Sequence, residues 1–401
     1  MTAPLVLAGG LVFDGSGAAP FRADVAIDGH RIVEVGNGVD GERRIDVTGR
    51  TVFPGFIDCH AHVALGAPFR GLEEDAALTP TYLAFEAIAS LRSTLDVGIT
   101  TVRDGAGADA GHRQAVQDGI VAGPRILIAL SQLSPSGGPY DARLPSGFDA
   151  WVHRPGIPSP VADGADALRA KVREYVQAGA DVIKIFATGH LSMARDGARR
   201  SMFTDAELEA IVDEARRQGL RVMAHAHGSA GATAAARAGA ASIDHGFFLD
   251  DEALEAIEAA GSVFVPTLLA SAGVLDMQED PAERERSEAV ASGHRDVVRR
   301  AHARGIQIAM GTDCPVTPHG RNLEELELLV ACGLSPSEAL VTATSNAARL
   351  LGLESEIGRV QPGLRADLVV VEGEPLDVAG LAGRISDVYQ GGKRVGPSTR
   401  G

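Results

Sequence analysis

Between residues 54 and 313, short apolar runs alternate with amphipathic stretches, and this alternation limits the fold more than any other feature of the chain. Eight runs read as strands: "GFIDCHAHV" (55–63), "TTVRDG" (100–105), "RILIAL" (125–130), "DVIKIFA" (181–187), "RVMAHAHG" (221–228), "SIDHG" (242–246), "SVFVPTL" (262–268) and "IQIAMGTD" (306–313). Between them, "TPTYLAFEAIASLRSTLDVG", "ADALRAKVREYVQAG", "TDAELEAIVDEARRQG" and "DDEALEAIEAAG" have helical periodicity. Several of these open on Ser, Thr or Asp and close on Gly, as helix caps do. Thr204 and Glu207 have the spacing of a capping box. The Ala/Gly-rich "HGSAGATAAARAGAAS" predicts a short helix pressed closely against the strands. Strands each followed by a helix or long loop predict a parallel sheet, and eight of them predict closure into a (β/α)8 TIM-type barrel. An open doubly wound sheet is the alternative, but its usual Gly-rich first turn does not follow residue 63.

The two ends of the chain have a different texture. "PLVLAGGLVFDG", "ADVAIDGHRIVEVG" and "RRIDVTGRTVFP" read as short alternating strands parted by Gly-rich turns, a small antiparallel unit. The same texture returns in "GRVQPGLRADLVVVEGEP" and "ISDVYQGGKRV". The expected organisation is therefore a small β-sandwich domain built from residues 1–53 plus 361–401, with residues 54–360 forming the barrel.

Composition excludes some partners. A formal net charge of −16 repels nucleic acid and anionic membrane surfaces. No window approaches the run of roughly 18–20 apolar residues that a membrane helix requires. The N-terminus lacks the basic and apolar regions of a signal peptide. Cys59, Cys314 and Cys332 are scattered and form no CxxC pair, which fits a reducing compartment. These features predict a cytoplasmic protein.

Reactive residues of a parallel barrel sit at the C-terminal strand ends. There the chain carries His60 and His62, Lys184, His225 and His227, His245 and Asp313. Residues two apart on a strand share a face, so each histidine pair points one way. Singly, each has a structural explanation: a satisfied core histidine, a paired lysine, a helix-capping aspartate. Jointly, four imidazoles, one carboxylate and one lysine on a single rim would cost several kcal/mol to bury without a cation. Nitrogen and oxygen donors suit Zn²⁺, with Mn, Co, Ni or Fe chemically compatible. An ammonium is a poor ligand, but burial lowers a lysine's pKa, and the free amine can take up CO₂ as a metal-bridging carbamate. Asp104 and Asp244 read as structural. Asp58, on the same face as His60, is either its orienting partner or a buried strand polar residue.

The blocks "PGFIDCHAHV", "DVIKIFATG", "VMAHAHG", "IDHG", "GTD" and "IGRVQPGLRADLVVV" resemble the amidohydrolase superfamily, in particular its prolidase-like and imidazolonepropionase-like branch. The resemblance covers nearly the whole chain. It implies that His60, His62 and Asp313 hold the more buried of two divalent metals, most simply Zn²⁺. His225 and His245 would hold the second, and Lys184, as a CO₂-derived carbamate, would bridge them. A metal-bridging hydroxide would attack a carbonyl carbon, with Asp313 passing its proton to the leaving nitrogen. His227 would assist at the carbonyl oxygen. Relatives of this kind are commonly assemblies, so a homo-oligomer is expected.

The substrate expected is a small-molecule amide or dipeptide-like compound, cleaved as by a dipeptidase, carboxypeptidase or N-acyl amino acid hydrolase. Dipeptidase-like relatives tend to carry Gly-Gly-His-Gly-Asp after the third strand, whose histidine helps to hold a substrate carboxylate. Here "SQLSPSGGPYDARLPSG" has Pro139 and Tyr140 after the glycines. That departure keeps open carbamates and ureas acting as neutral substrates, and a mononuclear deaminase-like or imidazolone-type reaction is the other alternative. A non-catalytic scaffold is disfavoured because every ligand type is present. Tyr140, His190 and His319 are candidate substrate contacts, and Arg195 and Arg199 candidate anion receivers.

Overall fold

A computed structural model describes residues 4–66, 74, 77–144, 146–151, 154–191, 193 and 196–397. The apolar runs of the middle region form parallel strands: β1 (Phe56–Ala61), β2 (Ile99–Asp104), β3 (Arg125–Ile128), β4 (Val182–Phe186), β5 (Arg221–Gly228), β6 (Ser242–Phe248) and β7 (Val263–Val265). One sheet has the order β3-β2-β1; the other runs from the short strand Gln132–Leu133 through β4, β5 and β6 to β7. Backbone N–H of Asp181 donates to the carbonyl of Ile128, joining the end of β3 to the approach of β4.

The eighth expected strand, 306–313, differs from expectation. It makes single parallel bridges, Ile308 to Phe264 and the adjoining Cys314 to Ala61, without extended ladder pairing. Even so, Ala309 N–H donates to Phe264 (3.0 Å) and Cys59 N–H to Met310 (2.8 Å), so the segment bonds to both β7 and β1. The segment ends at Asp313, whose left-handed backbone, φ +57°, no β-strand continues through, and within it the Met310 N–H goes to the Thr342 carbonyl and not to a strand neighbour.

Helices lie between the strands: α1 (Pro80–Asp96), α2 (Ala110–Gln117), α3 (Ala165–Gln177), α4 (Asp205–Arg217), α5 (Ser229–Ala238), α6 (Asp251–Ala260), α7 (Leu268–Asp276), α8 (Pro281–Ala303) and α9 (Glu324–Ala331). The capping box opens α4, with Thr204 Oγ1 accepting from Glu207 N–H and the Glu207 carboxylate accepting from Thr204 N–H. The Ala/Gly-rich stretch is α5, pressed so closely that a Cβ on Gly231 would lie 2.4 Å from the Ala187 carbonyl oxygen. Among the described residues, no helix is long and apolar enough to cross a membrane.

The chain ends supply two further sheets. One has the order Arg31–Gly36, Asp24–Asp28, Leu5–Ala8, Arg43–Asp46. The other places Ile385–Gln390 and Leu368–Glu372 beside Arg50–Pro54 and Leu11–Val12. Leu7, Val25 and Ile32 from the first pack with Val52, Leu368 and Val370 from the second. The sheets are not wholly antiparallel, as the alternation alone suggested. Leu5–Ala8 runs parallel to Arg43–Asp46, and Leu11–Val12 parallel to Arg50–Pro54. The two chain segments thus cross from sheet to sheet side by side, breaking at Gly9-Gly10 and at 47–49. A Cβ on Gly10 would meet Val47 at 2.9 Å.

One buried carboxylate replaces a missing helix cap. Thr267 precedes α7 but makes no side-chain cap, and Glu325 on α9 instead accepts from the N–H groups of Leu268 (2.9 Å) and Leu269 (2.6 Å). Burial pushes the Glu325 carboxyl up from 4.5 to about 8, against the lowering effect of those two N–H donors. The folded protein therefore keeps a proton that the unfolded chain releases above about pH 4.5, and stability falls as pH rises through this window. Glu325→Gln removes that dependence. Denaturant unfolding of chelator-treated protein should show wild type losing stability relative to the variant, by up to about 1.4 kcal/mol per pH unit, between the two pKa values.

Candidate metal centre

The strand register carries the ligand candidates to one end. His225 on β5 lies opposite Phe186 of β4 and Asp244 of β6, and Ala226 opposite His245. Two positions leave the regular backbone: His245 at φ +75° and Asp313 at φ +57°. Such conformations are costly for residues other than glycine and persist only where surrounding contacts over-determine them. Asp58 supplies several of those contacts. Its carboxylate accepts from the N–H groups of His60 (3.1 Å) and Thr312 (3.2 Å), from Thr312 Oγ1 (2.7 Å) and from Asn322 Nδ2 (2.9 Å). Of the two roles open to it, Asp58 thus braces backbone, tying β1 to the turn that bears Asp313. Gly311 permits the close approach, since a Cβ there would fall 2.9 Å from His60 Cβ. Asp104 is likewise structural, accepting from Val63 and Ala108 N–H.

His60, His62 and Asp313 offer ligand atoms lying within 4.8 Å of one another. Asp313 Oδ1 is 3.1 Å from His62 Nε2 and 3.3 Å from His60 Nε2. His62 Nδ1 faces the Ala106 carbonyl at 3.2 Å, and a carbonyl can only accept, so this nitrogen carries the hydrogen. Nε2 then turns a lone pair toward a carboxylate oxygen, an arrangement that requires a proton or a cation between them. Lys184, fully buried, places Nζ 3.5 Å from His60 Nε2. The His245 ring centroid lies 4.6 Å from that of His60 and 4.5 Å from that of His225. His227 adjoins at 4.4 Å from His225. All the ligand candidates therefore converge. Among the described residues, His225 Nε2 and His227 Nδ1 are buried without hydrogen-bond partners, which suits a site completed by a cation or substrate.

Electrostatics separate the cluster into two parts. Burial holds His225, His227 and His245 well below the usual histidine range, and their mutual repulsion adds to it, so they stand as neutral donors. Asp313 is driven well below the carboxylate range because His60, His62 and His245 outweigh its burial. His62 is raised, its contact with Asp313 overcoming desolvation. Lys184 is pushed down to about 8 by burial, although Asp244 and Asp313 oppose that shift. Its amine is therefore within reach of neutral pH.

Sequence reasoning read Asp244 as structural and did not foresee its partners. Its Oδ2 lies 2.8 Å from His60 Nδ1, 3.4 Å from Arg103 Nη2 and 3.5 Å from Lys184 Nζ, and its Oδ1 accepts from Ser242 Oγ at 2.7 Å. Strand alternation puts Asp244 and His245 on opposite faces; the left-handed backbone at His245 brings both to His60. The signal available in the sequence was the paired burial of Arg103 and Asp244 in strand interiors, where one charge demands the other.

The candidate substrate contacts lie at different depths. The Tyr140 ring is 5.4 Å from Phe186, which is 5.0 Å from His190, and His190 is 5.2 Å from His225. Tyr140, with its hydroxyl accepting from Gln132 Nε2, and His190 thus form part of an aromatic wall leading to the ligands. His319 has Thr94 Oγ1 at 2.9 Å on Nδ1 and the His62 carbonyl at 3.3 Å on Nε2, so both its nitrogens face protein. The Arg199 guanidinium stacks 3.9 Å over Phe248, while Arg195 lies outside the described residues.

Asp244→Asn leaves Arg103 buried opposite a neutral group. It should cost about 3–5 kcal/mol by denaturant unfolding and lower metal affinity in parallel.

Residues 51–395 match the amidohydrolase family. Ochratoxinase from Aspergillus niger is 31% identical over 97% of this chain and 86% of its own. Imidazolonepropionase from Paracoccus denitrificans is 30% identical over 82% of this chain and 81% of its own. Among solved structures, a Xaa-Pro dipeptidase with methionine bound in its active site superposes with a TM-score of 0.87 at 30% identity, covering 98% of this chain and 99% of that one. Family, relatives and the histidine–aspartate group agree: the chain belongs to the amidohydrolase family and is a metal-dependent hydrolase of carbon–nitrogen bonds.

Proposed function

We propose that the protein is a binuclear amidohydrolase of the dipeptidase or N-acyl amino acid hydrolase type. In this reading the parallel strands and the 306–313 segment close a (β/α)8 barrel over residues 54–360. Residues 1–53 and 361–401 form the β-sandwich domain beside it. The burial of Lys184 carries the proposal: a lysine with no access to water stands 3.5 Å from a histidine nitrogen at the heart of the cluster. Addition of its free amine to CO₂ would form an N–C bond and release one proton, and the resulting carbamate would supply anionic oxygen donors in place of an ammonium. His60, His62 and Asp313 would hold one metal and His225 and His245 the other, with Zn²⁺ best suited to the donors.

Divalent metals in such a site make water nucleophilic at neutral pH and polarise a carbonyl. Asp313, held well below the carboxylate range and so ionised, would take the proton of the attacking water and deliver it to the departing nitrogen. His227, neutral and with its buried Nδ1 unpartnered among the described residues, would donate an N–H to the carbonyl oxygen once substrate arrives. Tyr140 and His190 line the approach, and His319 braces His62 from behind. The three buried free cysteines fit a cytoplasmic setting, and we expect a homo-oligomer.

Two observations each favour a different alternative reading. Pro139 and Tyr140 occupy the loop where dipeptidase-like relatives tend to carry a carboxylate-binding histidine, which suits neutral carbamates or ureas. The compact trio of His60, His62 and Asp313 could also serve a one-metal, imidazolone-type reaction.

Purified protein should hold close to two metal equivalents, and a stable, active one-metal form would select the imidazolone-type reading. Lys184→Ala should lose metal and activity together and regain part of both with small carboxylic acids. Retained activity in Lys184→Ala without added acid would rule out the bridging carbamate. In a screen of N-acyl amino acids and dipeptides against aryl carbamates and ureas, the carboxylate-bearing compounds should turn over. Turnover of the neutral compounds alone would overturn that assignment.

A further inference from the structure

We propose that His245 is set for metal binding by a bracket outside the ligand cluster: Thr267 on its ring and His294 on its backbone. The inference rests on His245 being a ligand and concerns what makes it one.

His245 Nδ1 lies 2.9 Å from Thr267 Oγ1. With Nδ1–H donating to that hydroxyl, the ring's lone pair falls on Nε2, the tautomer free to ligate. Thr267 is an unusual place to find this contact. It is β-branched yet left-handed, φ +54°, a conformation that such residues avoid. The chain is held there from the next two residues, whose N–H groups are clamped by the buried Glu325 carboxylate.

The second arm comes from α8. His294, fully buried, has Nε2 2.8 Å from the carbonyl oxygen of His245. The carbonyl only accepts, so Nε2 carries the hydrogen, and the bond fixes the peptide of a residue whose own φ is +75°. Nδ1 of His294 lies 3.3 Å from Ser271 Oγ, which donates to the Leu268 carbonyl beside Thr267. The two arms therefore meet. The His294 ring also stacks on Phe247 at 4.2 Å and 21°, and Phe247 meets the edge of His227 at 4.7 Å. Thr267 and His294 are thus positioning residues: each contacts a ligand or its neighbour, and neither lies among the proposed metal donors.

The test compares Thr267→Val, which keeps the β-branch and loses the hydroxyl, with Thr267→Ser, which keeps the hydroxyl. Zinc dissociation constants for both equivalents are read by chelator competition, and the Co²⁺-loaded proteins are compared by visible absorption. Thr267→Val should weaken one equivalent by about 10–100-fold, with the other unchanged and an altered Co²⁺ spectrum. Thr267→Ser should restore wild-type affinity and spectrum. His294→Phe, which keeps the stack and loses the hydrogen bond, should show the same selective loss. Wild-type affinity at both equivalents in Thr267→Val, or equal losses in the Ser and Val variants, would overturn the bracket. His245→Ala separates this from the reading beneath it. If that variant still binds both equivalents normally, His245 is no ligand; if it loses one while Thr267→Val does not, only the bracket fails.

Discussion

The Asp244 carboxylate has no access to water and is met inside the parallel sheet by Arg103, Lys184 and His60. Much of the site follows from this contact. A buried charge is tolerated only with partners, and each partner here leads elsewhere. Arg103 also donates to the Cys59 carbonyl at 2.5 Å, holding the strand that bears His60. Lys184 projects from β4 and His60 from β1, so a single anion gathers strands from both parallel sheets. The arrangement trades stability for placement: apolar groups would pack there at lower cost, but they would not orient an imidazole or keep an amine poised near neutrality.

Around this anchor, the ligand-bearing residues sit where regular backbone stops. His245 and Asp313 are left-handed, and Thr267 beside them is left-handed as well. None of these conformations is favourable by itself. Each is held by donors and acceptors from elements remote in sequence: Asp58 and Asn322 around the Asp313 turn, His294 on the His245 carbonyl, Glu325 on the start of α7. Strain at these points lets side chains that strand alternation would separate converge on one volume. The eighth segment pairs only briefly with its neighbours. Its backbone turns at Asp313, the Met310 N–H donates to the Thr342 carbonyl, the Ile308 carbonyl accepts from Asn346 Nδ2, and the N–H of Thr312 is shared by Asp58 and the His60 carbonyl.

The terminal sheets bear on the centre through continuity of chain and through contacts with the parallel strands of the middle region. Arg50–Pro54 pairs with Leu368–Glu372 in the six-stranded sheet, and the backbone passes through Gly55 directly into β1. Arg125 on β3 ties back to Asp367 at 3.0 Å. The strand carrying the histidine pair is thereby fixed at its start by the ends of the chain and at its finish by the Asp58 network.

Periodicity and caps were enough to place seven of the parallel strands and five of the helices between them, α1, α3, α4, α5 and α6, because pleat and helical pitch are local properties written in which residues are apolar. The types and strand-end positions of the ligand candidates were legible for the same reason, and six sequence blocks carried the family. The parallel pairing within the terminal sheets, the early turn at Asp313 and the role of Asp244 were not legible. Each depends on contacts between residues tens to hundreds of positions apart, and a lone buried aspartate looks the same in sequence whether it caps a turn or gathers an arginine, a lysine and a histidine. By itself, then, the order of residues determined which groups stand at the strand ends. Only the packed chain decided which way they face, since that depends on backbone conformations that no isolated segment would adopt.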